Sequence, residues 1–257
     1  MLTREFTTWI LIFFRVGAML AVVPMFSADY FPKQIRIATG ALVALLVAPI
    51  LPPVSLSNIT LWSVVGLVAE EITAGLVLGF ICRITFFSVE LAGSIIANDI
   101  GLSMASTLNP LINSPMPSTS TALYWMSVVV MLSLDLHHIF IAGFLRSYDF
   151  LPMGGMHMSE ALLHNFVSRT GSIFVCGLQI AAPIMAVTFV LTLVFALLGR
   201  VVPQMHVFAE SMPVKLIGGM IVFGLTCSLM GEHVVNQLHR VPEDMLRFSV
   251  LMGKPHS

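Results

Sequence analysis

Between Trp9 and Met230 the chain is a succession of apolar runs: Trp9–Val23, Ile35–Leu51, Ile59–Phe87, Val89–Ala105, Ala122–Leu145, Gly171–Leu198 and Pro213–Met230. Crossing a hydrocarbon core takes roughly 20 helical residues, and in lipid a backbone must satisfy its own N–H and C=O groups. Runs of this length therefore fold as helices. Ile35–Leu51 and Val89–Ala105 are short for a span, and Gly171–Leu198 has Pro183 inside it. The reading is an all-α, membrane-associated bundle of about six hydrophobic helices, several of them kinked or irregular.

Composition supports this reading. The 257 residues are 57% hydrophobic and only 10% charged, with a mean hydropathy of +0.96, whereas soluble domains carry about 25% charged residues. Such a chain cannot present an ordinary solvated surface, so it belongs in lipid, in a protein assembly, or in both. A formal net charge of -1 offers no basic footprint for nucleic acid. Cys82, Cys176 and Cys227 stand far apart within apolar stretches and read as small buried hydrophobes. Arg15 interrupts the first run, where the apolar region of a cleavable signal would be uncharged, so the first segment is expected to stay as a helix.

Punctuation divides the chain. Pro49, Pro52 and Pro53 end the second run, Leu151-Pro-Met-Gly-Gly155 ends the fifth and Pro203 closes the sixth. The polar connection from Arg146 to Arg169 has room for a short amphipathic helix near Ser159–Val167. Arg4, Lys33, Arg36, Arg146, Arg169 and Arg200 are scattered over several connections, so charge bias sets no orientation. Residues 1–231 read as one membrane-associated domain and 232–257 as an amphipathic tail. In the tail, Val234, Leu238, Val241, Met245, Phe248 and Met252 recur at steps of four and three, a single helical stripe. Pro242 should interrupt or restart that helix, with Glu243 and Asp244 in the new first turn. The stripe suits the membrane interface, a partner helix, or the chain's own body.

Gly101–Pro117 (GLSMASTLNPLINSPMP) is the segment that no spanning helix can contain. It is free of charge, and Pro110, Pro115 and Pro117 deny it regular hydrogen bonding. Non-helical backbone at membrane depth is tolerated only when buried in protein or lining a cavity, so the segment is a candidate pore element. Met104 and Met116 flank it, and deformable thioethers suit an apolar seal.

Charges also stand where lipid is expected: Arg15, Glu70, Glu71, Arg83, Glu90, Asp99, Asp135 and Lys215. Each would cost roughly 2.5–3.5 kcal/mol at a bilayer centre, so these groups face protein, water or one another. They form buried ion pairs, or serve a proton or ion relay, or sit on helices that never reach the midplane. Asp135-Leu-His137-His138 invites a metal reading, but adjacent helical residues diverge by about 100° and a zinc site needs three or four convergent ligands. A capped helix end is the simpler expectation, with no metal and no cofactor. No Walker loop, dinucleotide fingerprint or framed nucleophile is present in the sequence, and no enzymatic activity is expected.

Together these residues resemble the FliR/SctT family, export-gate subunits of flagellar and virulence type III secretion systems. The resemblance is carried by Arg15-Val with Pro24-Met-Phe26, Gly75-Leu-Val-Leu-Gly79 with Glu90-Leu-Ala-Gly93, and Gly101-Leu-Ser-Met-Ala105 with Asn109-Pro110 and Pro117. Asp135-Leu-His137, Leu151-Pro-Met-Gly154, Gly177-Leu-Gln-Ile-Ala181 with Pro183, Arg200-Val-Val-Pro-Gln-Met205 with Val207-Phe208, and Pro213-Val-Lys-Leu216 follow in order. It runs from about Arg15 to Gly219 and fades after Gly231. The chain departs from the pattern at His206, where the family often carries asparagine, and at Glu210 and Lys215, where many relatives are apolar.

The resemblance implies a FliP-like and a FliQ-like part fused in one chain, within a helical hetero-oligomeric gate seated largely above the expected bilayer plane. It implies FliP and FliQ homologues as partners, FlhB and FlhA homologues as neighbours, and unfolded export substrates as cargo. The place would be the bacterial inner membrane, in the flagellar basal body. The loop matching Gly101–Pro117 would plug the closed pore, with Gly101, Met104, Asn109, Pro110, Pro115, Met116 and Pro117 as its candidate residues. The alternatives are a proton-coupled small-solute transporter built on Glu70, Glu71, Asp99 and Asp135, a structural scaffold, and a virulence-type subunit of the same family.

Overall fold

A computed structural model describes residues 2–27, 32–52, 61–103, 117–157, 159–202 and 207–253. Most of these residues are helical and none of them forms a strand: α1 Leu2–Val22, α2 Pro24–Ser27, α3 Lys33–Val47, α4 Leu61–Ile100, α5 Ser118–Ser133, α6 Leu136–Phe150, α7 Glu160–Val201 and α8 Val207–Met252. Four stretches are long and apolar enough to cross a membrane, Glu5–Val22, Trp62–Ile100, Glu160–Val201 and Ala209–Met252, with a fifth if α5 and α6 count as one broken span.

The elements differ from the runs in an instructive way. Most of Ile59–Phe87 and of Val89–Ala105 merges into α4, of 40 residues. The expected short helix near Ser159–Val167 is the first part of α7, of 42 residues, which continues through Pro183. The tail is the last part of α8, of 46 residues, and the helix runs on through Pro242 rather than restarting there. Proline removes one backbone donor and crowds the carbonyl four residues back. Here buried side chains on both sides, Leu238, Val241 and Met245, all 0% exposed, hold the helical path. Helices of this length are about 60–70 Å long, roughly twice the hydrocarbon thickness.

The chain divides into two compact units. The first holds Met1–Ile84, Asp135–Arg169 and His239–Ser257; the second holds Thr85–Leu134 and Thr170–Leu238. In the first unit α1 packs on α3 and on the first half of α4. A side chain on Gly75 would overlap the Arg15 carbonyl, and one on Gly79 would lie 2.7 Å from the Met19 carbonyl. The Gly75-Leu-Val-Leu-Gly79 step therefore brings the two backbones together as small-xxx-small packing does in membranes. Leu11, Ile12, Leu78, Ile81, Phe144 and Met245 fill the core. Phe166 stacks on Phe80 at 4.8 Å and meets Phe248 edge-on at 6.5 Å.

The end of α8 is tied to the start of α7. The His157 N–H donates to the Met252 carbonyl at 2.8 Å and the Ser159 hydroxyl to the Leu251 carbonyl at 3.3 Å. Ser159 also accepts from the Leu162 N–H at 3.1 Å, which makes it the side-chain cap of α7. Arg169 and Asp244 form an ion pair in the same unit.

In the second unit, the last turns of α4 meet α5 through two hydroxyls. Thr119 donates to the Gly93 carbonyl at 2.7 Å and Ser120 to the Glu90 carbonyl at 3.0 Å. Cys82 is buried in the first unit, but Cys176 and Cys227 are half-buried in the second, short of the full burial expected. Gln237 Nε2 donates to Cys176 Sγ at 2.9 Å, and Cys227 Sγ lies 3.7 Å from Met126 Sδ.

Candidate functional site: a buried ion pair and the anchors of the central loop

The first unit closes around a charge. Arg15, on α1, and Glu71, on α4, are each 1% exposed. Arg15 Nε donates to Glu71 Oε2 at 2.6 Å and a terminal nitrogen to Oε1 at 3.0 Å, a two-pronged pair. The other terminal nitrogen donates to the Leu151 carbonyl at 3.1 Å, and the Gly154 N–H donates to Glu71 Oε1 at 3.3 Å. The guanidinium carbon lies 4.0 Å from the centre of the Tyr148 ring, a cation–π contact. Gly154 holds a φ of 74°, a left-handed turn open to glycine at little cost. The Leu151-Pro-Met-Gly154 turn thus supplies one acceptor and one donor to the pair. Two opposed charges bonded on all sides can stay in a core; either one alone cannot.

The other charged residues are placed differently. Asp99 is half-buried in the second unit and accepts from the Thr188 hydroxyl at 3.0 Å. Glu70, Arg83, Glu90 and Lys215 are half-buried, and Glu70 Oε2 is shielded without a hydrogen-bond partner among the described residues. Asp135 is exposed. Glu71 is committed to Arg15 and Asp99 to Thr188, so two of the four relay candidates are engaged in structural bonds. Tyr148, the Leu151 carbonyl, the Gly154 N–H and Thr188 complete these clusters. Only the turn residues Leu151-Pro-Met-Gly154 stood out in the sequence; the aromatic and hydroxyl partners are ordinary helical residues.

The central loop itself, Met104–Met116, with Met104, Asn109, Pro110, Pro115 and Met116, lies outside the described residues. Both of its anchors are described. Gly101 ends α4 with a φ of 86°, and its N–H donates to the Asn98 carbonyl at 3.2 Å. A side chain there would meet Met212 Sδ at 2.9 Å. Pro117 stands at the start of α5 and accepts from the Thr121 N–H at 3.1 Å, and the next residues are held by the Thr119 and Ser120 bonds to α4. Both ends of the loop are therefore fixed in the second unit.

At the break between α5 and α6, Asp135 holds a φ of 55° in the left-handed region and makes no side-chain cap bond. The expectation of a capped helix end fails here, because a capping side chain needs an extended backbone at that residue. Nor do the two histidines diverge: the rings of His137 and His138 lie 4.1 Å apart, since flexible imidazoles can turn together at a helix start.

The family described as Bacterial export proteins, family 1, matches residues 6–241, ten residues beyond the point where the resemblance was expected to fade. The chain is 31% identical over 219 residues to the flagellar biosynthetic protein FliR of Caulobacter vibrioides, covering 85% of this chain and 87% of that one. It is 26% identical over 255 residues to FliR of Escherichia coli, covering 95% and 96%. It is 25% identical over 236 residues to the Yop proteins translocation protein T of Yersinia pestis, covering 91% and 90%.

Proposed function

This chain belongs to the bacterial export proteins of family 1, the FliR/SctT family, and from that premise we propose that it is a non-enzymatic subunit of a flagellar type III export gate in the bacterial inner membrane. It works there with FliP and FliQ homologues, next to FlhB and FlhA homologues, and unfolded substrates pass through the centre of the assembly. One observation carries this reading best: the outer faces of the long helices are apolar and uncovered. Trp62 is 81% exposed, Leu225 78%, Val201 77% and Phe189 68%. Faces of this kind need lipid or other apolar helices against them. Helices about twice as long as a bilayer is thick suit an assembly that rises above the membrane plane.

The gating part is the loop Gly101–Pro117. Its ends are fixed in one unit, and Pro110 and Pro115 disfavour a regular helix through its middle. In the closed gate it lies across the channel, with Met104 and Met116 as deformable seals. Deleting Leu111–Ser114 in the assembled complex should raise the leakage of ions and small molecules through the closed channel. Permeability equal to that of the intact complex would rule out the plug. The flagellar system is favoured over a virulence one because FliR of Caulobacter vibrioides is 31% identical and the Yersinia translocation protein 25%.

A further inference from the structure

We propose that Asp135, His137 and His138 form a zinc-class metal site that staples the start of α6. One ligand atom from each of the three residues lies within 4.8 Å of the others. His138 Nδ1 stands 3.6 Å from Asp135 Oδ1, and the two imidazole rings are 4.1 Å apart. Ligand atoms about 2.0–2.1 Å from a tetrahedral ion are roughly 3.3–3.5 Å from one another, so small side-chain rotations close the set. Two imidazoles and one carboxylate suit zinc, copper or nickel; calcium and magnesium prefer oxygen alone.

Two further observations point to a ligand. Asp135 is the single non-glycine residue with positive φ among the described residues, yet its carboxylate does not cap α6. Instead it faces His138. His137 Nδ1 is shielded from solvent and has no hydrogen-bond partner among the described residues. The side chains of Asp135 and His138 are 76% and 69% exposed, so an ion has access. Three protein ligands leave the fourth position to water or to a residue of a partner subunit. All three ligands lie just before or in the first turn of α6, so the ion would fix the left-handed conformation of Asp135 and the start of α6.

The test uses the full chain in its assembled complex, without a histidine tag. Zinc should bind at one ion per chain, and cobalt should give the visible absorption bands of a four-coordinate site. His137→Ala and His138→Ala should each weaken binding at least tenfold. Asp135→Gly, which keeps the left-handed backbone and removes the carboxylate, should do the same. Zinc should also slow amide exchange over residues 134–140 in the wild type and protect His138 from acylation by diethylpyrocarbonate. That last measurement needs no variant and holds even if a substituted chain fails to assemble. The proposal is overturned if the wild type binds no stoichiometric zinc, if the double His137→Ala/His138→Ala chain binds it equally well, or if His138 is acylated at the same rate with and without zinc.

Discussion

Arg15 shows how one residue can organise a core whose other fully buried charge, among the described residues, is Glu71 alone. Its guanidinium reaches a carboxylate, a carbonyl and an aromatic face at once, and thereby joins α1, α4, α6 and the turn after α6. Lysine, a point charge on a flexible stem, could not fill these positions together. Arg15→Leu or Glu71→Leu alone should cost about 3–5 kcal/mol, because each leaves the opposite charge buried and unpaired. The double substitution should be much less damaging than the sum of the two. It still strands the Leu151 carbonyl and the Gly154 N–H, at about 1–3 kcal/mol each. Thermal unfolding of the detergent-purified complex across the four-member cycle measures this, and additive losses would deny the coupling. Arg15 and Glu71 could be singled out in the sequence because charge within an apolar run is costly. Their pairing could not, because Glu70 and Glu71 are equal there and only the helical rotation of α4 decides which one faces α1.

Among the elements, the decisive contact is the close approach of α1 and α4. Gly75→Leu should exclude the Arg15 carbonyl and part the two helices, lowering the amount of chain in membranes well below wild type. Overpacking costs about 1–3 kcal/mol where side chains can shift, and more where the obstacle is backbone. Gly66→Ala is the matched control: nothing lies within 4 Å of a side chain there, and alanine gains about 0.5–1 kcal/mol over glycine within a helix. Immunoblots of membrane fractions distinguish the two, and equal loss from both would deny that the close approach at Gly75 is decisive. The helical class was legible because apolar runs in lipid have few alternatives. Helix lengths were not. Ser88 and Glu90 interrupt the hydropathy of α4 without ending the helix, and Arg169 in α7 reads as a loop residue until Asp244 is placed beside it. Polar residues mark where a run ends, but only proline, glycine or a cap marks where a helix ends, and Pro242 shows that even proline yields to packing on both sides.

At the scale of the whole molecule, the last part of α8 lies in the same unit as α1. Val241, Met245 and Met252 are 0% exposed and Phe248 2%, all within the unit that holds α1 and the Arg15–Glu71 pair. The tail stripe was visible in the sequence as a periodic pattern, but periodicity names a buried face without naming its partner. Here the partner is the chain's own first unit: Met245 Sδ lies 3.8 Å from Cys82 Sγ, and Phe248 packs on Phe166. Fully burying one such side chain is worth about 1.5–3 kcal/mol, so the four together rival the 5–15 kcal/mol that keeps a typical domain folded. Deleting His239–Ser257 should therefore abolish the chain in membranes and its co-purification with partner subunits. Deleting only Lys254–Ser257, which removes none of these buried residues, should leave both near wild type. A more selective version replaces Met245 and Phe248 with alanine, each expected to cost about 2–5 kcal/mol, and follows protease resistance of the first unit against that of the second. If the tail served only a partner or the membrane surface, the truncated chain would stay protease-resistant and lose only export. Loss of resistance in fragments containing α1, ahead of those from residues 170–238, would show instead that the end of α8 is needed to hold the first unit together.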